Sequence, residues 1–271
     1  MRLTDDTDLK QKVSRFWDET PCGSFSPDEP IGETDFFDEV RKFRTDSQEF
    51  VYRLVDFRQF AGKRMLEVGC GLGSDLLHAA TLGADVVGFD LSRRSVGLAR
   101  KHFALSGIDG QFVHGDAEGL PFGDDSFDVV YSFGVLHHTP DTQRAIDECL
   151  RVLKPGGQMV LMLYNSSSWL TVVEPYLQRL KRMVFRARNA GELNRVEIAR
   201  KYDGEDNPLG KAYSTGEISQ MLAGFSDVSL KRGTPRLTGA PFLLALYYAF
   251  LDYSGINARF GFWSIATATK A

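Results

Sequence analysis

From Lys63 onward, short apolar runs alternate with segments of helical pattern: RMLEV, ADVVGFD, GQFVHGD, FDVVYSF and QMVLMLY follow one another. The intervals between them are long enough for crossover helices. Near-continuous Val, Leu and Phe suits strands buried on both faces of a parallel sheet. The pattern predicts an α/β fold with a doubly wound, mostly parallel seven-stranded sheet. After the fifth run the alternation stops. It resumes with a helix from about Ser214 to Ala223, a strand SDVSLKR and a last strand FWSIATATK, leaving interruptions at about 165–212 and 233–260. The first sixty residues precede the first strand. A loop rich in Pro and Gly leads there into a helical stretch from about Thr34 to Phe60. The expected organisation is an N-terminal helical cap over 1–60 and a main domain over 61–271 that carries two late insertions.

Composition narrows the setting. A chain of 271 residues that is 43% hydrophobic and 12% aromatic can bury a substantial core. The net charge of -4 gives no overall attraction for nucleic acid or an anionic membrane. Cys22, Cys70 and Cys149 are odd in number and widely spaced, which fits neither a disulfide framework nor a zinc site and predicts a reducing, cytoplasmic setting. The opening MRLTDDTDLKQK has no apolar core of the kind a secretory signal needs. The apolar stretch from Pro241 to Leu251 falls short of the roughly 20 residues that span a bilayer, so no transmembrane segment is expected. Monomer and homodimer stay equally open.

The strongest local signal is Glu67-Val-Gly-Cys-Gly-Leu-Gly73, placed after a strand and before a helix. Gly69, Gly71 and Gly73 let the backbone turn sharply and approach a ligand, while the helix that follows points its amides at it. Asp90 closes the second strand, where an acidic side chain can accept from both hydroxyls of a ribose. Nicotinamide enzymes and methyltransferases share these two features. They part at the third strand end, His114-Gly-Asp-Ala-Glu118, followed by LPF and then DSFDVV.

Taken in order, LEVGCGLG, GFDLS, GDAEGLPF, FDVVYSFGVLHH and LRVLKPGG resemble the class I S-adenosylmethionine-dependent methyltransferases that act on small molecules. The resemblance covers Lys63 to about Tyr164. It implies the Rossmann-like methyltransferase fold, S-adenosylmethionine as cofactor and S-adenosylhomocysteine as product. By the same resemblance Asp90 and Leu91 hold the ribose, and Asp116 with Ala117 faces the adenine. Gly69 and Gly71 lie beneath the methionine part, Gly73 belongs to the same cofactor-binding loop, Phe133 and Gly134 line the pocket, and Glu67 organises the loop.

Transfer from a sulfonium needs chiefly alignment of nucleophile and methyl, exclusion of water and an unprotonated nucleophile. His137 and His138 follow the fourth strand at its carboxyl end and are the candidate bases. The competing reading packs one beneath the loop and bonds the other to a backbone carbonyl. Tyr164 and Asn165 end the fifth strand and are candidate acceptor contacts, with Trp169 close behind. Lys211 and Tyr213 return the first insertion to the rim, and Tyr213 is a further acceptor candidate. In the cap, Trp17 and Phe37 are placed as acceptor contacts and Arg44 as a partner for the methionine carboxylate. Helix packing is the competing reading for Trp17, Phe36 and Phe37, and a surface position for Arg41 and Arg44.

The basic run from Arg179 to Lys201 reads as a solvated helix face or an anionic contact. Asp124, Asp125 and Asp128 read as turn and local pairing residues, and no metal is expected. Lys154-Pro-Gly-Gly157 is expected to end a helix and turn into the fifth strand. The expected acceptor is an O or N nucleophile of a small metabolite. An RNA methyltransferase is disfavoured because SFGVLHH stands where base-amine methylases carry an Asn/Asp-Pro-Pro-aromatic element. A noncatalytic cofactor-binding regulator is the remaining alternative.

Overall fold

The computed structural model describes residues 2–22, 30–168, 207–233 and 259–271. Expectations for Trp169, the basic run 179–201 and the apolar stretch 241–253 lie outside the described residues.

The sheet is built from β1 (Arg64–Val68), β2 (Asp85–Asp90), β3 (Gln111–His114), β4 (Phe127–Phe133), β5 (Leu153–Asn165), β6 (Ala212–Tyr213), β7 (Phe225–Gly233) and β8 (Trp263–Lys270). Their order is β3-β2-β1-β4-β5-β8-β7, with the two-residue β6 paired to the end of β5. β1 to β5 run parallel, and β8 lies antiparallel to both β5 and β7. The doubly wound, mostly parallel sheet expected from the sequence is therefore present. Val, Leu and Met of β1, β4 and β5 are buried on both faces, each face feeding its own apolar cluster.

The helices are α1 (Arg2–Glu19), α2 (Thr34–Leu54), α3 (Ser74–Thr81), α4 (Arg93–Ser106), α5 (Thr142–Val152) and α6 (Thr215–Met221). Local chemistry sets their starts. Ser92 Oγ accepts from the Ser95 amide at 3.0 Å and Asp141 from that of Arg144 at 3.0 Å. Ser214 and Glu217 form a reciprocal capping box at the start of α6. The helical stretch expected from Thr34 to Phe60 is α2 followed by a separate 3₁₀ turn, Phe57–Phe60. The expected role of Lys154–Gly157 needs correction, because the helix has already ended at Val152. Lys154–Gly157 lie within β5 as an irregularity, where the register jumps from Phe127↔Leu153 to Val129↔Gln158.

Strand order reverses between β1 and β4, so the loops leaving their carboxyl ends diverge and open a crevice there. Two helices of the cap reach this crevice. α1 is tied across it by Asp18, whose carboxylate accepts from Ser92 Oγ at 2.7 Å at the start of α4. α2 packs Phe36, Phe37 and Val40 against Leu72.

Candidate active site

A cavity of about 420 Å³ fills the crevice, walled by the loops after β1, β2, β3 and β4 and covered by α1 and α2. The loop after β1 runs close under that after β4. Gly69 has φ 81°, and a Cβ there would fall 2.1 Å from a methyl of Val135. At Gly71, φ 50°, the space is open, and the amide donates to Asp90 Oδ2 at 2.9 Å. Gly73 also has positive φ but caps α3 against Ala99 and Phe103, outside the cavity lining.

Asp90 also accepts from the Ser92 amide at 2.8 Å. A carboxylate offers about four acceptor positions, so two bonds leave room for two hydroxyls. Burial raises the Asp90 pKa, and the Ser92 and Gly71 amides oppose that shift. Leu91 and Ala117 line the same end of the cavity. Asp116 lines it too, but the carboxylate expected to face an adenine amine also holds a cation: Lys10 of α1 donates to Asp116 Oδ2 at 2.6 Å and to Glu118. Burial works to lower the Lys10 pKa, and the two acids outweigh it and raise it.

Beside the β1 loop lie two buried polar atoms with no hydrogen-bond partner among the described residues, Glu67 Oε2 and Ser74 Oγ. Burial holds the Glu67 pKa well above the ordinary carboxylate range, with Asp75 adding to the rise and Arg44 opposing it. Buried polar atoms are rarely left unsatisfied, so this part of the cavity is built for a ligand with polar groups of its own.

Asp75 is a site residue that the sequence reading missed. It accepts from Arg44 Nε at 2.9 Å and from Arg44 Nη2, from Tyr52 at 2.9 Å and from Tyr131 at 2.7 Å. Burial pushes its pKa up, but Arg44 and the two phenols win and hold it below the usual value. Arg44 lines the cavity as expected, with its guanidinium 4.5 Å from the centre of the Phe133 ring, yet its fork is committed to Asp75. Nε and Nη2 are the nitrogens bound to Asp75, and Nη1 is the one that carboxylate does not hold.

The remaining wall is aromatic and apolar, formed by Trp17, Phe133, Met162, Tyr164 and Trp263, with Gly134 beside them. His138 lines it and His137 does not. The His138 Nδ1 contacts the Leu209 carbonyl, and a carbonyl only accepts, so Nδ1 carries a proton. Trp17 packs edge-on against this ring at 5.4 Å. His137 is fully buried against Tyr164, ring centres 4.0 Å apart. Burial, then His138 and Lys211, depress its pKa far below the usual value.

Three expected acceptor contacts lie away from the cavity. Phe37 stacks on His102 at 4.3 Å and does not line the cavity. Asn165 is buried and donates to the Gly261 carbonyl at 2.8 Å, fixing β5 to the start of β8. Tyr213 donates to Thr142 Oγ1 at 2.8 Å. The acidic cluster pairs locally: Asp124 with Arg151, Asp125 with Lys270 and Asp128 with Lys154. Among the described residues no group of three His, Cys, Asp or Glu is placed to hold a metal ion, and no helix is long and apolar enough to cross a membrane.

Residues 66–161 match the family described as a methyltransferase domain. Over 117 residues the chain is 39% identical to phthiotriol/phenolphthiotriol dimycocerosates methyltransferase 1 of Mycobacterium ulcerans, covering 42% of each protein. Over 108 residues it is 43% identical to demethylmenaquinone methyltransferase of Clavibacter sepedonicus, covering 39% of this chain and 43% of that one. The chain thus spans less than half the length of these curated relatives. The crystal structure of magnesium protoporphyrin IX methyltransferase from Synechocystis PCC 6803 with bound S-adenosylhomocysteine superposes with a TM-score of 0.58 at 20% identity, covering 97% of this chain and 100% of that one. Residues 66–161 thus match a methyltransferase-domain family, and the described residues share the fold of magnesium protoporphyrin IX methyltransferase.

Proposed function

We propose that the chain binds S-adenosylmethionine and moves its methyl group to an oxygen or nitrogen of a small, largely apolar metabolite. The observation that carries this is one cavity lined by a ribose-type acceptor, Asp90, by Glu67 with its unsatisfied oxygen, and by His138 within an aromatic wall. These residues fit the cofactor. Asp90 and Leu91 would hold the ribose, Asp116 and Ala117 the adenine, Glu67 and Ser74 the amino group, and Arg44 Nη1 the carboxylate. When bound, the cofactor supplies a methyl on a sulfonium, a good leaving group.

The acceptor binds against Trp17, Tyr164 and Trp263. Among the described residues the side-chain cations of the lining are Lys10 and Arg44, and both are paired with carboxylates of the protein. That favours a neutral molecule, and relatives named for phthiotriol dimycocerosates and demethylmenaquinone are in keeping with it. His138 takes the acceptor's proton on Nε2, as a general base, and passes it to solvent. The acceptor is a free small molecule rather than a nucleic acid, and the buried thiols Cys70 and Cys149 suit a cytoplasmic protein. The test is release of S-adenosylhomocysteine with a panel of neutral phenols, catechols, alcohols and amines set against carboxylates. Turnover confined to neutral acceptors is expected; turnover only with carboxylates would overturn the assignment of base and acceptor.

A further inference from the structure

His138 sits in a short 3₁₀ turn, Leu136–His138, in the connection from β4 to α5, which has little internal structure to fix a ring. The stretch from Asn207 to Tyr213, which in sequence follows the first insertion, runs beside this connection and meets it repeatedly. The Leu209 carbonyl accepts from His138 Nδ1. The Lys211 amide donates to the His137 carbonyl at 3.2 Å. The Lys211 ammonium donates to the carbonyls of Thr139 at 2.9 Å and Pro140 at 2.6 Å. Tyr213 donates to Thr142 Oγ1 at 2.8 Å, and that hydroxyl's own proton goes to the Leu136 carbonyl at 2.9 Å.

Asn207 shapes the strap itself. It is fully buried, and its side-chain oxygen accepts from the Leu209 amide at 3.1 Å, a turn that presents the Leu209 carbonyl to the ring. The same bond leaves the Asn207 amide nitrogen 3.4 Å from His138 Nδ1. Both are donors, so this contact packs without bonding. The other tautomer of His138 would set the Leu209 carbonyl against a lone pair in a buried place, which is unfavourable. Among the described residues Lys211 makes no ion pair; its ammonium is held by the two carbonyls and, at 3.5 Å, by Thr142 Oγ1.

We infer that Asn207 and Lys211 are positioning residues for the transfer: together they clamp the loop after β4 and lock His138 in the tautomer whose lone pair lies on Nε2. This rests on His138 being the base. The signature is spectroscopic. In ¹⁵N-labelled full-length protein His138 should show Nδ1 protonated and Nε2 bare, and Lys211→Met and Asn207→Ala should each turn this into a mixture of tautomers. With the fastest acceptor of the panel above, both variants should lose about tenfold or more in kcat, part of the 10²–10⁴ that a general base supplies. S-adenosylmethionine Kd should stay within about twofold, since neither residue lines the cavity. Asn207→Asp, which keeps the acceptor oxygen, should restore the native tautomer. It also serves if Asn207→Ala does not fold.

His138→Gln separates the two claims. If it leaves kcat unchanged, His138 is no base and the positioning role falls with it. If it slows turnover while Lys211→Met and Asn207→Ala keep both the native rate and the native tautomer, the base stands and the clamp is refuted.

Discussion

Glu67 is the residue whose surroundings cost the folded state most visibly. Burial and the nearby Asp75 raise its pKa, so between the ordinary carboxylate value and the raised one the folded chain binds a proton that the unfolded chain has lost. Stability from this group therefore falls as pH rises above about 4.5. Glu67→Gln removes the titration. The variant should gain thermal stability over the native protein at pH 8, and the gain should shrink as pH falls toward 4.5; a gain independent of pH would contradict the account. Asp90 is a second costly acid, its pKa likewise raised by burial and its carboxylate kept for binding. Asp90→Ala should weaken S-adenosylmethionine binding about 10- to 100-fold, the worth of hydrogen bonds to a charged acceptor, and unchanged calorimetric affinity would remove its ribose role. Both acids were legible in the sequence because each ends a strand within a short local pattern. Asp75 was not. In sequence it is an acid in the first turn of a helix, a place where acids commonly face water, and only the packing of α2 shows that it accepts from Arg44, Tyr52 and Tyr131. Phe37, Asn165 and Tyr213 went astray for a related reason. Periodicity tells which face of its own element a residue occupies, not what the neighbouring element places there.

At the scale of elements, the network around Asp75 fastens α2 to α3 and β4 across the floor of the cavity. Removing one partner of a buried pair leaves the other charge uncompensated, at a cost of about 3–5 kcal/mol. Asp75→Asn should accordingly lower the Tm by roughly 10 °C, given about 2–4 °C per kcal/mol for a chain of this size. A fall under roughly 2 °C would mean that Arg44 finds another partner. The strands of the sheet were legible because their apolar runs are short, strong and bounded by turns, and α6 because Ser214 and Glu217 announce its start. α1 gave no such signal. RLTDDTDLKQKVSRFWDE has few apolar residues, and it is seated by polar contacts: Lys10 on Asp116 and Glu118, and Asp18 on Ser92.

Across the whole molecule, the reversal of strand order between β1 and β4 creates the crevice, which the loops on its carboxyl side wall and the two cap helices cover. The two ends of the cavity divide the chemistry. Acids and glycines of the first three loops form the polar end, which the order of motifs made legible. The aromatic end draws on α1, β5 and β8, elements distant in sequence, so its composition emerges only in the fold. The central claim is that this cavity takes a sulfonium nucleoside. Isothermal titration of the full chain with S-adenosylmethionine, S-adenosylhomocysteine and NADH tests it directly. The two sulfur compounds should each bind at one site per chain while NADH does not; binding of NADH, or of none of the three, would contradict it.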